Sequence, residues 1–184
     1  PMNRVLIVED SRVVLAMLRQ RIERELGMAC DCAASMAEAA SFLAAMDVPY
    51  VAALVDLNLP DAPRGEAVDE VNRSGVPVIV FTATLNDDVQ QTMWRKRVVD
   101  YVVKDGHANM DYVVGVVRRL AGNRGVKALV VDDSTAFRTH AARLLAAYHF
   151  TVLEAADAES GLALLREHGD VSLILADNTM PGMP

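Results

Sequence analysis

The sequence predicts an α/β fold in which a parallel sheet carries helices on both faces. Short apolar runs without polar alternation, typical of strands buried on both sides, alternate with segments whose apolar residues recur at helical spacing. An acidic pattern then occurs twice along the chain. Asp133 follows Asp10 by 123 positions and Asp177 follows Asp56 by 121, and each of the four ends an apolar run. A repeat of this length predicts two domains of one kind, or one domain and a fragment.

The composition narrows the class of protein. The chain has 184 residues, of which 52% are hydrophobic, so a packed core is expected. A net charge of −7 argues against broad electrostatic binding to nucleic acid. We expect neither a membrane span nor a signal peptide, because no apolar run is long enough and the N-terminus lacks the required pattern. Cys30 and Cys32 share one face of a strand and are interpreted as small core residues, which favours a reducing cytoplasm.

Five strand–helix units make up the first copy of the repeat. Strands are predicted at 4–8, 28–32, 51–55, 76–81 and 101–103. Helices are predicted from the cap Ser11 to Gly27 and from Ser35 to about Met46. After a loop with Pro60 and Gly65, a short helix is predicted through Asn72. Two more are predicted from Asn86 or Asp87 to about Val98 and from Asn109 or Asp111 to about Leu120. Regular alternation implies right-handed crossovers. We therefore expect a flavodoxin-like, doubly wound, five-stranded parallel sheet of order 2-1-3-4-5.

The second copy is shorter. After a linker at 122–125, strands are predicted at 127–131, 151–154 and 172–176, with helices at 134–147 and 157–167. The expected domains are therefore a first domain at 1–121 and a partial β-α-β-α-β unit of the same type at 126–184. Its third strand would be central in a full sheet, so here it forms an open apolar edge. We expect a second chain, or the first domain, to cover that edge.

Acidic residues at the strand ends of the first copy predict a metal site. Glu9 and Asp10 follow the first strand and Asp56 follows the third, and these strands are neighbours in the expected order. Binding sites in such sheets form at the carboxyl ends of the strands. Three carboxylates brought together repel one another, and a bound cation relieves this repulsion. Hard oxygen ligands of this kind suit Mg²⁺.

Two further strand ends predict phosphoryl chemistry. Thr82 ends the fourth strand and Lys104 ends the fifth. A hydroxyl and an ammonium group beside a carboxylate–metal site can receive a phosphoryl group, with Asp56 as the nucleophile that becomes an acyl phosphate. Each residue alone has an ordinary explanation as a turn, cap or surface residue. The interpretation depends on their occurring together, in this order, on these strands.

This set of residues resembles the receiver domain of two-component response regulators. Over residues 3–121 the matching motifs are Val8-Glu9-Asp10-Ser11, Asp56 with Pro60 four positions later, Thr82-Ala83 and Tyr101-Val102-Val103-Lys104. In the second copy, over residues 126–184, they are Val131-Asp132-Asp133-Ser134 and Asp177 with Met180-Pro181-Gly182-Met183. The resemblance implies one complete receiver followed by the N-terminal half of another.

The resemblance also implies roles for the metal ligands and the nucleophile. Asp56 would accept a phosphoryl group from the phosphohistidine of a histidine kinase or a phosphotransfer protein. Mg²⁺, or Mn²⁺, would be held by Asp10, Asp56 and the backbone carbonyl of Asn58, with Glu9 acting largely through water.

Other implied roles concern the switch. Thr82 would bond the phosphoryl oxygens and Lys104 would pair with them. Tyr101 is at the switch aromatic position, so phosphorylation would change the partner-binding face made by the fourth helix, fifth strand and fifth helix. That face is also a candidate homodimer surface, as is the partial second domain. The sequence departs from the family at Asp105, which follows Lys104 where the family usually has proline. Asp105 could weaken the interaction of Lys104 with phosphate, or it could simply cap the last helix.

The second copy has candidate metal ligands but no complete phosphoryl pocket. Asp132, Asp133, Asp177 and the backbone carbonyl of Thr179 could hold a metal, whereas no residue equivalent to Thr82 is present. A non-phosphorylated interaction scaffold therefore remains an alternative for residues 126–184.

A phosphotransferase is the alternative function for the first copy. A phosphotransferase of the haloacid-dehalogenase type also uses an aspartate nucleophile, but resemblance to that family would require a second Asp where Asn58 stands. No Gly-X-Gly-X-X-Gly motif follows a strand, which argues against dinucleotide binding. We expect a signalling module rather than a conventional enzyme, with an output domain outside this chain that could be an enzyme such as a diguanylate cyclase.

Overall fold

The chain divides into two compact units, residues 1–118 and 119–184. The structure, a computed structural model, describes residues 3–83, 96 and 98–179. Of the helix predicted at 86–98, only Lys96 and Val98 are among the described residues, and residues 180–183 of the second acidic motif also lie outside them.

The first unit contains a five-stranded parallel sheet of order β2-β1-β3-β4-β5, which confirms the predicted fold class. Its strands are β1 Arg4–Val8, β2 Ala29–Ala33, β3 Ala52–Val55, β4 Val78–Thr82 and β5 Val98–Val103. Its helices are α1 Arg12–Leu26, α2 Met36–Ala44, α3 Glu66–Arg73 and α4 Gly106–Gly122, whose last residues belong to the second unit.

Burial of the inner strands explains the uninterrupted apolar runs. Residues 5–8 of β1 and every residue of β3 and β4 are buried. Strands covered by helices on both faces have no solvent side on which polar residues would alternate. The side chains of these strands form the core against which α2 and α3 pack.

Helix ends follow the expected chemistry at three places. Ser11 accepts a hydrogen bond from the Val14 amide at the start of α1, and Ser35 accepts one from the Glu38 amide at the start of α2. Gly27 ends α1 in the left-handed conformation, at φ 64°, which costs glycine little.

Two predicted boundaries were wrong. β5 begins at Val98, a residue assigned to the end of the preceding helix, and pairs in parallel with β4. α4 begins at Gly106, earlier than either predicted cap. Asn109 lies inside the first turn of the helix rather than capping it, and its side-chain amide donates to the Val103 carbonyl at 2.9 Å.

The second unit contains a three-stranded parallel sheet of order β7-β6-β8. Its elements are β6 Lys127–Val131, α5 Thr135–Ala147, β7 Thr151–Ala155, α6 Ala158–Glu167 and β8 Val171–Ala176. This confirms the partial β-α-β-α-β unit. None of the described helices is both long and apolar enough to cross a membrane.

The edge strand β8 exposes apolar side chains. The pairing registers make residues 173–175 of β8 the counterparts of residues 52–54 of β3. Leu173, Ile174 and Leu175 are 39%, 51% and 42% exposed, whereas residues 52–54 are at most 1% exposed. The difference arises because β4 pairs with β3, and no described strand pairs with the outer side of β8.

Candidate functional site

Two neighbouring strands bring the predicted carboxylates together. Glu9 follows β1 and Asp56 follows β3, and these strands pair in register so that Val8 lies opposite Val55. Glu9, Asp10 and Asp56 can each place a carboxylate oxygen so that all three atoms lie within 4.8 Å of one another. Glu9 and Asp56 are buried and Asp10 is exposed, so the cluster opens to solvent on one side.

Lys104 neutralises part of this negative charge. It follows β5, and its Nζ lies 2.5 Å from Glu9 Oε2 and 2.7 Å from Asp56 Oδ2. Its backbone amide donates to the Thr82 carbonyl at 2.7 Å, which fixes the end of β5 against the end of β4. Only 13% of the Lys104 side chain is exposed, so the two ion pairs are poorly screened by solvent.

Thr82 and Asn58 complete the inner surface of the site. Thr82 is fully buried at the end of β4, and its Oγ1 lies 3.5 Å from Asn58 Nδ2. The Asn58 backbone amide donates to Asp56 Oδ1 at 3.3 Å. The side chain of Asn58 thus links the loop after β3 to Thr82, and no sequence pattern predicts this contact between residues 24 positions apart.

Burial controls the acidity of Glu9. Loss of solvent raises the pKa of Glu9 above its ordinary value of 4.5, while the hydrogen bond and charge of Lys104 act in the opposite direction. The charge of Asp56 adds to the rise, and the Ser11 amide, which donates to Glu9 Oε1 at 3.1 Å, opposes it.

Tyr101 lies on β5 and packs, partly buried, against the core. Burial raises the pKa of its hydroxyl, and the negative charge of Asp56 raises it further. Asp105, the departure noted in the sequence, is exposed directly before α4, and Lys104 reaches both carboxylates despite it.

The donor set of Glu9, Asp10 and Asp56 fits a divalent cation. All three groups offer hard oxygen atoms, which Mg²⁺ prefers. The ammonium group of Lys104 already lies between two of them, which shows that a positive charge is accommodated there.

Two side-chain contacts that hold the β3–α3 loop were not predicted from the sequence. Lys96 donates to the Gly65 carbonyl at 3.2 Å and to Asp69 Oδ2 at 2.7 Å. Asp61 accepts hydrogen bonds from the Met36 and Ala37 amides at 2.9 and 3.0 Å. No sequence signal marks either contact, because each joins segments far apart in the chain.

The second unit contains a similar acidic cluster. Asp132, Asp133 and Asp177 can place three carboxylate oxygens within 4.8 Å of one another. They line an open cleft of about 460 Å³ together with Phe137 and Leu175. Asp177 Oδ1 accepts the Thr179 amide at 3.1 Å. Within residues 119–179 no strand corresponds to β4 or β5, whose ends carry the threonine and lysine of the first site.

The sheet order and the strand-end residues define a parallel α/β signalling domain, and the comparisons agree. The family model of the response regulator receiver domain matches residues 5–111. The chain belongs to this family.

Solved structures extend the likeness over both units. A crystal structure of a putative two-component system response regulator/GGDEF domain protein is 38% identical, with a TM-score of 0.90 over 98% of this chain and 73% of that one. A probable protein of the same description is also 38% identical, with a TM-score of 0.89 and 98% and 72% coverage.

A CheY-like receiver domain from Methanospirillum hungatei JF-1 shares the fold at 22% identity, with a TM-score of 0.57 over 66% of this chain and 96% of that one. A comparison with curated proteins finds no match.

Proposed function

We propose that Asp56 of this receiver domain accepts a phosphoryl group from the phosphohistidine of a histidine kinase or phosphotransfer protein. One observation carries the proposal: the Lys104 ammonium group bridges Asp56 and Glu9 beside the buried hydroxyl of Thr82. A receptor for a phosphoryl group needs a nucleophile, fixed positive charge and a hydroxyl donor, and these are the groups that meet here.

The chemistry assigned to Asp56 is a displacement at phosphorus. A carboxylate oxygen of Asp56 forms a bond to phosphorus as the phosphorus–nitrogen bond of the donor breaks, and the donor imidazole keeps the electron pair and takes a proton. Lys104 then pairs with a phosphoryl oxygen instead of with Asp56 alone, and Thr82 donates its hydroxyl hydrogen to another.

Glu9, Asp10, Asp56 and the backbone carbonyl of Asn58 would hold Mg²⁺ or Mn²⁺. When bound, the ion would neutralise charge on the transferred group. The burial of Glu9 and Asp56 favours such binding, because buried side chains would lose little freedom on holding the ion.

The switch residues proposed are Thr82 and Tyr101. Thr82 contacts the phosphoryl group in this scheme, and Tyr101 lies on the adjacent strand within the electrostatic influence of Asp56. A shift of Thr82 towards the phosphoryl group would open space for the tyrosine ring and so alter the partner-binding face around β5 and α4.

For the remaining parts we propose a first domain at 1–121, a linker at 122–125 and a partial second receiver at 126–184. The second domain would act as an interaction scaffold, with Asp132, Asp133, Asp177 and the Thr179 carbonyl as a candidate metal site. The two response regulator/GGDEF domain proteins that this chain resembles support an output of the diguanylate cyclase class outside these residues.

A ligand-binding measurement tests the proposal. Beryllofluoride, which imitates a phosphoryl group on aspartate, is added with Mg²⁺ while the fluorescence of Trp94, the single tryptophan, is followed. We expect a saturable, metal-dependent change in the wild type and none in Asp56→Asn. An equal response in both proteins would contradict the assignment of Asp56.

A further inference from the structure

We propose that Asp61 is a positioning residue for this site: it ties the loop after β3 to the N-terminus of α2 and so fixes the backbone carbonyl of Asn58 for the metal. The inference rests on the proposed function of the site and adds a residue to it. The test below separates the failure of one from the failure of the other.

The loop between β3 and α3 is held at its base by buried side chains. Leu57, Leu59 and Ala62 are at most 4% exposed. The Ala62 amide donates to the Leu59 carbonyl at 3.1 Å, and the Gly65 amide donates to the Leu57 carbonyl at 3.2 Å. These contacts close the loop on itself but leave its outer turn, which contains Asp61, pointing away from the core.

Asp61 attaches that outer turn to another part of the fold. Its Oδ1 accepts the Met36 amide at 2.9 Å and its Oδ2 accepts the Ala37 amide at 3.0 Å, across 25 and 24 positions of sequence. These bonds lower the pKa of Asp61 below its ordinary value, so the group is a carboxylate near neutral pH. A carboxylate at a helix N-terminus also gains from the helix dipole.

α2 does not depend on Asp61 for its own cap. Ser35 Oγ accepts the Glu38 amide at 3.2 Å, and Glu38 Oε2 accepts the Ala34 amide at 2.7 Å, so the helix carries a reciprocal capping pair from its own sequence. The bonds from Asp61 therefore add a cross-link between two segments rather than starting the helix.

The cross-link bears on the site because Asn58 lies three positions before Asp61 and two after Asp56. The Asn58 amide bonds Asp56 Oδ1 and its side chain contacts Thr82, so a movement of this turn changes the surroundings of both residues. At the far end of the loop, Lys96 holds the Gly65 carbonyl. Asp61 thus attaches the loop to the N-terminus of α2.

Glu38 offers a matched control. It is an exposed carboxylate at the same helix N-terminus and also accepts a backbone amide, but that amide belongs to Ala34, directly before α2, and not to the loop. Asp61→Ala and Glu38→Ala each remove one negative charge and the bonds it accepts. Asp61→Asn keeps one acceptor oxygen and is expected to fall between Asp61→Ala and the wild type.

The measurements are Mg²⁺ affinity and amide hydrogen exchange in the full chain. We expect Asp61→Ala to weaken Mg²⁺ binding about tenfold and to speed exchange at the Asn58 and Ala62 amides. Glu38→Ala should leave both close to the wild type, although both variants lower the melting temperature. Unchanged Mg²⁺ affinity and exchange in Asp61→Ala, or equal losses in Glu38→Ala, would overturn the proposal.

Exchange is measured without metal or phosphate, so it reports on the tether whether or not the wild type binds Mg²⁺. A wild type that binds neither Mg²⁺ nor beryllofluoride would defeat the proposed function. Faster loop exchange in Asp61→Ala would in that case support the tether but remove its role at a metal site.

Discussion

At the scale of single residues, Lys104 and a bound divalent cation would compete for the carboxylates of Glu9 and Asp56. The ammonium group lies between Glu9 and Asp56, where it offsets the repulsion of two buried carboxylates. Burial of these charged groups costs free energy of desolvation, and only well-placed ion pairs and hydrogen bonds offset that cost. Under the proposed function, the same positive charge would pair with the transferred phosphoryl group.

Replacement of this lysine should therefore separate metal binding from phosphoryl transfer. In Lys104→Met the carboxylates lose their fixed counter-charge, and we expect Mg²⁺ affinity to rise at least about tenfold. The rate of phosphoryl uptake from acetyl phosphate should fall by about a hundredfold or more. Calorimetric titration and radiolabelled uptake measure the two effects, and weaker Mg²⁺ binding in the variant would contradict the competition.

The raised pKa of Glu9 predicts opposite effects of pH on stability and on metal affinity. Without metal, the folded state holds the Glu9 proton more tightly than the unfolded state does. The free energy of unfolding should therefore decrease as pH rises from about 4.5 through the folded-state pKa. Over the same interval Mg²⁺ affinity should increase, because the ion no longer displaces a proton.

Urea unfolding and Mg²⁺ titration at a series of pH values measure how the free energy of unfolding and the Mg²⁺ affinity depend on pH. Glu9→Gln, which does not titrate, should remove this contribution to both dependences. Retention of both in Glu9→Gln would show that another group is responsible.

Sequence predicted which strand-end side chains lie close together better than it predicted their individual contacts. Asp10, Asp56 and Lys104 could be placed because they follow strands whose order is fixed by topology. The bonds of Asn58 to Thr82 and of Asp61 to α2 depend on how a loop folds back. No periodicity marks such contacts, so they needed the structure.

At the scale of elements, buried strands were predictable and half-buried ones were not. The buried residues of β1, β3 and β4 are apolar except for Thr82, and these strands were placed within two residues at each end. β5 is only partly buried and contains Asp100, so its first half looked like the end of a helix. Pairing with β4 overrides that local pattern.

The close approach of α6 to β6 yields a prediction about packing. A Cβ atom at Gly161 would lie 3.0 and 3.3 Å from the two methyl groups of Val131. Gly161→Leu should therefore lower the free energy of unfolding by about 1–3 kcal/mol through overpacking. Gly161→Ala should change it by less than about 1 kcal/mol, because the better helix propensity of alanine offsets the contact.

Chemical denaturation of the two variants measures these changes. At the corresponding position of the first unit, Ala39 is accommodated on α2 with 1% exposure. Wild-type stability in Gly161→Leu would show that α6 moves away from the sheet at little cost.

At the scale of the whole molecule, the repeat explains where apolar surface is left exposed. Residues of β8 that have buried counterparts in β3 are open to solvent. An exposed strand edge with apolar side chains favours pairing with another chain. We propose that a second copy of the chain covers β8 in solution.

Concentration-dependent light scattering tests this association. The wild type should associate, and Ile174→Lys should weaken association at least about tenfold by placing a charge on the edge. Thr151→Lys, at an exposed position on the opposite edge strand β7, is the matched control and should behave as the wild type does. A strict monomer at all concentrations would contradict this use of β8.

The central claim is that Asp56 becomes an acyl phosphate. Its most direct test is the intact mass of the protein after incubation with acetyl phosphate and Mg²⁺, followed by peptide mapping of the labelled residue. The account predicts the gain of one phosphoryl group, located on Asp56 and lost in Asp56→Asn or when the metal is chelated. A phosphoryl group on another residue, or unchanged labelling in Asp56→Asn, would contradict it.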